Sequence, residues 1–312
     1  MTLLPESVVD VDWLARRLAE VAAGSESGPV VLDATAMLPA PEFDGDYRLE
    51  SGLDRWREAH IPGSRHADLV GEFSTHPAPQ HFTRLAPAAL ADLLSRYGVT
   101  VGRDVVLYDT GGGIWAARLW WSLRAIGIPA AVLDGGLDAW RAAGHPVVSG
   151  DEAVPAQGPD TPTSLAVESR LDAWADADEV AAISTGSAPG TLVCALGHEQ
   201  FVGTAPTRYS RRGHIPNSLN LPARSLIASG TGLLAADAHL RETVRPLLDV
   251  SGPVVVYCGG GISAALLALG LVRAGRDDVM IYDGSLEEWT ADPTRPVVTE
   301  EGRHQPGPQA ET

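Results

Sequence analysis

The sequence predicts an α/β protein of two tandem domains, each a mainly parallel sheet flanked by helices. Three observations carry this prediction. The chain repeats itself, short apolar runs alternate with helical patterns, and a stretch rich in Pro, Gly and Asp separates the two copies. A chain of 312 residues with 45% hydrophobic content suits two domains of about 150 residues, each with its own core.

The repeat shows when the sequence is laid on itself at an offset of 149 positions, with no gap. "VVLYDTGGGI" from Val105 falls on "VVVYCGGGIS" from Val254, Leu133-Asp134-Gly135-Gly136 on Tyr282-Asp283-Gly284-Ser285, Trp140 on Trp289, and Arg124 on Arg273. An earlier pair, His60-Ile61-Pro62-Gly63 and His214-Ile215-Pro216-Asn217, lies 154 apart, so a short insertion precedes the main repeat. A period this long marks a duplicated domain rather than a solenoid. The expected boundaries are a first copy over 1–148, a linker over 149–164 ("SGDEAVPAQGPDTPTS"), a second copy over 165–298 and a disordered tail over 299–312.

Within each copy the elements follow from local pattern. Val30–Leu32, Val105–Tyr108, Ala130–Leu133, Leu192–Ala195, Val254–Tyr257 and Val279–Tyr282 are continuous apolar runs bounded by turn residues. Such runs suit parallel strands buried on both faces. Ala88–Tyr97, Trp115–Ile126 and Ala264–Ala274 read as helices between them. Trp115, Trp120 and Trp121 have helical spacing and read mainly as core. Asp134 and Asp283, each followed by glycine, read as strand-end turns.

Composition excludes several functions. The net charge of −17 repels nucleic acid and anionic membranes, so neither is an expected partner. All 23 basic residues are arginine, which removes lysine Schiff bases, a pyridoxal-phosphate anchor and a P-loop lysine. The N-terminus lacks the pattern of a signal peptide, and no apolar stretch approaches the roughly 18 residues of a membrane span. A cytoplasmic, monomeric protein is expected. The two cysteines, Cys194 and Cys258, form neither a disulfide framework nor a CxxC site.

Cys194 reads as a core residue, but Cys258 has informative neighbours. It stands where a strand ends, with Gly259, Gly260 and Gly261 next and a helix immediately afterwards. Glycines let successive N–H groups turn inward as an anion-binding nest, and a helix N-terminus adds its own unpaired N–H groups. A free cysteine is only about 3% thiolate at neutral pH, whereas helix N-termini make the thiolate a major species. A reactive cysteine is therefore expected here. A tyrosine-phosphatase-like C-x5-R loop is not, because the residues five and six beyond Cys258 are Ser263 and Ala264.

These stretches together carry a family resemblance. "HIPGSRHADL" (60–69), "WAARLWWSLRAIG" (115–127), "VLDGGLDAW" (132–140), "RRGHIPNSLNLP" (211–222), "YCGGGISA" (257–264) and "YDGSLEEW" (282–289) resemble tandem-domain sulfurtransferases of the rhodanese superfamily. The resemblance implies a catalytic Cys258 that takes sulfur as a persulfide, held by the loop Gly259, Gly260, Gly261, Ile262, Ser263 and Ala264. It also implies a silent first copy with Asp109 in place of the cysteine, and no metal or organic cofactor. Implied partners are a small-molecule sulfur donor and a thiol acceptor, such as a thioredoxin-like protein or a low-molecular-weight thiol, or cyanide.

The loop Cys258-Gly259-Gly260-Gly261 resembles the C-G-S-G type of mercaptopyruvate enzymes more than the basic C-R-K-G type of thiosulfate enzymes, so 3-mercaptopyruvate is the favoured donor. It departs from that type at Gly260, where the family has serine. Arg208 matches a family substrate arginine, whereas Gln200 stands at the position of another. His60, in the HIPG motif, matches a family histidine that faces the interdomain cleft; it is a candidate substrate-side, proton-transfer residue or else a satisfied structural histidine, and its repeat His214 reads as structural. Arg211 and Arg212 read as a solvated pair. The strand entering this segment has Cys194 and Leu196 where the family has aspartate and arginine. These departures leave an alternative: a non-catalytic sulfur carrier or regulatory binding module that keeps the fold.

Overall fold

The computed structural model describes residues 4, 6–22, 24, 28–151, 165 and 171–299. Most of the expected linker and nearly all of the expected tail lie outside the described residues.

Each copy forms a five-stranded parallel sheet. The first holds β1 (Val8–Val9), β2 (Val30–Asp33), β3 (Arg65–His66), β4 (Val105–Tyr108) and β5 (Ala131–Leu133), in the spatial order β1-β5-β4-β2-β3. The second holds β6 (Trp174–Ala175), β7 (Thr191–Cys194), β8 (Leu219–Asn220), β9 (Val254–Tyr257) and β10 (Val279–Tyr282), in the order β6-β10-β9-β7-β8. The two orders are the same. Register agrees as well: Asp33 pairs with Tyr108 across β2 and β4, and Cys194 with Tyr257 across β7 and β9.

Ten helices cover the sheets among the described residues. In the first copy these are α1 (Val11–Ala22), α2 (Leu53–Glu58), α3 (Pro87–Arg96), α4 (Ile114–Ala125) and α5 (Gly136–Ala142). In the second they are α6 (Ala177–Ser184), α7 (His198–Val202), α8 (Asp237–Val244), α9 (Ile262–Arg273) and α10 (Ser285–Ala291). Their starts are locally encoded. Pro87 opens α3, where a missing N–H costs nothing. Asp176 and Glu179 form a reciprocal capping box on α6. Gly113 and Gly261 cap α4 and α9 at φ +86° and +78°, a region that penalises any side chain.

The strands alternate between two cores, as strand geometry requires. Val254 and Val256 of β9 belong to the largest apolar cluster, whereas Val255 and Tyr257 face a separate one. β4 divides likewise, with Val105 and Leu107 on one side and Val106 and Tyr108 on the other. The largest cluster runs through both copies and includes α4 packed on α9. Leu119, Leu123, Leu266 and Leu269 are at most 1% exposed there. Each such side chain contributes about 1.5–3 kcal/mol by leaving water. No described helix is long and apolar enough to cross a membrane.

The repeat is not free of gaps. Ile114 and Ile262 open equivalent helices 148 positions apart, because four residues separate Asp109 from α4 but three separate Cys258 from α9. The offset of 149 returns by β5 and β10. Arg124 is therefore the eleventh residue of α4, but Arg273 is the twelfth of α9.

Candidate active site

β9 ends at Tyr257 and delivers Cys258, 2% exposed, to the floor of a pocket. The loop after it is tied to the start of α10. Ser285 Oγ accepts from the N–H groups of Cys258 and Gly261, each at 3.1 Å, and donates to Tyr282 O at 2.8 Å. Leu286 N–H donates to Cys258 O and Glu287 N–H to Gly259 O. Among the described residues, the N–H groups of Gly259, Gly260, Ile262, Ser263 and Ala264 have no acceptor. Short strand, glycines and helix start together leave a ring of donors beside a thiol, which suits an anion on or next to the sulfur.

The pocket has walls from both copies. Leu38, Pro41, Tyr47 and Phe82 come from the first copy; Leu196, Gln200, Arg208, Tyr209 and Glu287 come from the second. Burial raises the Tyr47 phenol well above its ordinary value, with the Glu287 carboxylate adding to the effect, so it stays a neutral donor. Burial likewise raises Tyr209 and lowers Arg208. Arg208 is held by the backbone carbonyls of Leu38 and Pro39 in the other copy.

Arg118 of α4 reaches the loop from beneath. It is 3% exposed, and its Nη2 donates to Asp283 Oδ1 and to Phe82 O, each at 2.6 Å. Its Nη1 has no hydrogen-bond partner among the described residues, and a Cβ at Gly261 would stand 2.8 Å from it. Asp283 Oδ2 accepts Arg84 N–H at 3.0 Å. Asp283 thus turns a strand end and also fastens one copy to the other.

In the first copy the equivalent cradle is filled by its own side chain. Asp109 Oδ1 accepts from Gly111 and Gly113 N–H at 2.7 and 2.8 Å, and Oδ2 from Trp115 and Ala116 N–H at 2.8 and 2.9 Å.

Of the residues singled out in the sequence, the structure gathers Cys258, Gly259, Gly260, Ile262, Ser263, Gln200 and Arg208 around the pocket. Gly261 caps the helix behind the loop, and Ala264 is fully buried in the first turn of α9. His60 does not line the pocket. It is fully buried, its Nδ1 is 2.7 Å from Trp56 O, and its ring stacks on Trp56. His214 repeats this arrangement with Phe201, and both histidines close a bridge to the end of their copy, at Val148 and Val298. The HIPG histidine is a structural device used twice.

Arg211 binds the carbonyls of Thr290 and Asp292, and Arg212 pairs with Asp44 of the first copy. Cys194 is fully buried, and burial pushes its thiol up to about 12, so it is inert. Trp115 packs on Phe82 behind the pocket wall.

Sequence reasoning missed Tyr47, Phe82, Glu287, Ser285 and Arg118. Tyr47 and Phe82 belong to irregular segments without periodicity, and Arg118 sits inside an apolar helix. Ser285 and Glu287 carried a signal, since both lie in "YDGSLEEW" one turn after a strand end.

A duplicated α/β fold with a cysteine over a backbone cradle in one copy defines a class, and comparison with known proteins agrees. The family described as rhodanese-like domain matches residues 17–143 and 204–292. The chain belongs to the rhodanese family and is a tandem-domain sulfurtransferase within it. It is 33% identical over 266 residues to SseB of Mycobacterium tuberculosis, which carries a thiosulfate sulfurtransferase name, covering 83% of this chain and 90% of that protein. It is 31% identical over 309 residues to human 3-mercaptopyruvate sulfurtransferase, covering 96% and 97% of the two chains. Among solved structures, SseA from Escherichia coli, a 3-mercaptopyruvate sulfotransferase of the rhodanese fold, superposes with a TM-score of 0.73. That match has 25% identity and covers 89% of this chain and 98% of the other.

Proposed function

We propose that the protein moves a sulfane sulfur from a small donor through a Cys258 persulfide to a thiol or cyanide acceptor, with 3-mercaptopyruvate favoured over thiosulfate as donor. The observation that carries this reading is the open N–H cradle around Cys258, whose counterpart in the first copy already binds a carboxylate through four N–H groups.

In the first half-reaction the Cys258 thiolate attacks the donor sulfur. An S–S bond forms to Cys258 and the donor's C–S bond breaks. The released electron pair leaves on pyruvate enolate, which takes up a proton to give pyruvate. With thiosulfate the bond broken is S–S, and sulfite leaves. The loop N–H groups hold the persulfide anion, much as an oxyanion hole holds developing charge. In the second half-reaction an acceptor thiolate attacks the outer sulfur and returns Cys258 as a thiolate. The donor carboxylate is placed on Arg208, the one cationic side chain lining the pocket among the described residues. Among the described residues no other cation lines the pocket, which disfavours a dianion.

Intact-protein mass spectrometry after exposure to each donor tests the reading. A gain of one sulfur, about 32 Da, is expected on the wild type and not on Cys258→Ser, with ping-pong kinetics at steady state. A folded wild-type protein that gains no sulfur from either donor would overturn it.

A further inference from the structure

The pocket contains one feature that the sulfur-transfer scheme leaves idle. Among the described residues its lining holds a single carboxylate, Glu287, and a single cation, Arg208. Glu287 is placed by its own backbone, whose N–H donates to Gly259 O at 2.9 Å in the first turn of α10. Its carboxylate leans over the next residue of the cysteine loop: a Cβ at Gly260 would lie 3.5 Å from Glu287 Oε2.

The side chain is fixed there by the other copy. His81 Nδ1 lies 2.5 Å from Glu287 Oε1, and the His81 backbone N–H donates to Oε2 at 3.2 Å. Tyr47 stacks on the His81 ring with centroids 3.8 Å apart. The Glu287 side chain is 16% exposed, so the charge is largely screened from bulk water but faces the pocket. Hydrogen bonding to His81 orients this carboxylate without removing it from the site.

With the His81 ring neutral and donating to Oε1, the pair carries one negative charge beside a cradle built for anions, and that charge acts on what enters. It opposes each negative charge on the donor, and a dianion feels it twice. Shielded from solvent, the repulsion keeps more of its strength than a surface pair would.

We propose that Glu287 is a specificity-determining residue, a charge filter that excludes dianionic sulfur donors and admits those carrying a single carboxylate on Arg208. This rests on the sulfur-transfer reading and identifies the residue that sets the donor class.

The test compares the rate constants for loading Cys258 from thiosulfate and from 3-mercaptopyruvate in wild type, Glu287→Gln and Glu287→Lys. Circular dichroism establishes that each protein is folded. Glutamine keeps the size of the side chain and one acceptor oxygen for the His81 backbone N–H, and removes the charge; lysine reverses it. The thiosulfate-to-mercaptopyruvate ratio is expected to rise on the order of tenfold in Glu287→Gln and further in Glu287→Lys. The graded response from carboxylate to amide to ammonium follows charge, which a purely structural role would not do. A ratio unchanged across folded variants, or a wild type that prefers thiosulfate, overturns the inference while the persulfide chemistry stands. A wild type that loads from neither donor overturns the function itself, and the inference falls with it.

Discussion

The two copies place different chemistry at the same two strand ends. Where β2 ends and β4 leads into its loop, the first copy has Asp33 and Asp109. At the corresponding places after β7 and β9, the second has Cys194 and Cys258. Asp109 folds back into its own loop and satisfies four N–H groups. In the second copy the support comes from outside the loop: Ser285 Oγ accepts from Cys258 and Gly261 N–H. The first copy has Gly136 at that position, with Leu137 N–H on Asp109 O just as Leu286 N–H is on Cys258 O. Moving the cap from the loop's own first residue to a neighbouring turn leaves that residue's side chain out of the loop's hydrogen bonds, as the proposed reaction requires. The second copy carries a cost for this, since Ser285 is a non-glycine residue at φ +49°.

The largest effect should come from the nucleophile. Cys258→Ser is expected to lower sulfur transfer by at least about 10³-fold with the fold intact, measured by turnover and by circular dichroism. The silent cradle should respond in the opposite way. Asp109→Ala leaves four N–H groups of a buried loop without their acceptor, and urea denaturation is expected to show a loss of about 3 kcal/mol. A loss near zero would mean that the first copy's loop does not need its carboxylate.

The second buried aspartate predicts a pH dependence. Burial raises Asp33 from 3.8 to about 6, although Thr35 N–H and other hydrogen bonds oppose the shift. The native state then binds a proton more tightly than the unfolded chain, so stability falls as pH rises from about 4 to about 6. The fall amounts to up to about 3 kcal/mol, and Asp33→Asn should flatten it in urea titrations across that window. Cys194, its counterpart, stays protonated throughout the window and adds no such slope.

The smallest effect on stability belongs to Ser285→Gly, which rebuilds the first copy's arrangement. Relief of the positive φ offsets part of the lost cap, leaving a net change of about 1 kcal/mol. Sulfur loading of Cys258 should nonetheless slow by about tenfold, because the loop N–H groups lose their fixed direction. Unchanged loading would remove Ser285 from the account of the site.

The strands that carry the site were legible in the sequence because they are apolar throughout. Val105–Tyr108 and Val254–Tyr257 are buried on both faces, and a glycine run after each marks the strand end. The strands β1, β3, β6 and β8 are two residues long, too short to show any period. The cysteine and its loop could be found because backbone chemistry is written locally. The pocket could not, since Tyr47, Phe82 and His81 are brought to it by packing of one copy on the other. Of the two readings of His60 the structural one fits, for a reason the repeat carries: His214 has the same motif, and a feature kept in both copies serves what both share, which is closure of the fold.

Arg118 makes the two copies unequal in dependence as well as in chemistry. It is the fifth residue of α4, and the fifth residue of α9 is Leu266, wholly buried in the shared core. A guanidinium therefore passes from the first copy to the cysteine loop of the second, and among the described residues none reaches the first copy's loop in return. The half with the proposed nucleophile is not a transplantable module. Expressed by itself it would keep its cysteine, but Asp283 would lack its counter-ion and the pocket would be open on one side. The half without a cysteine at its cradle is, for this protein, part of the proposed tool.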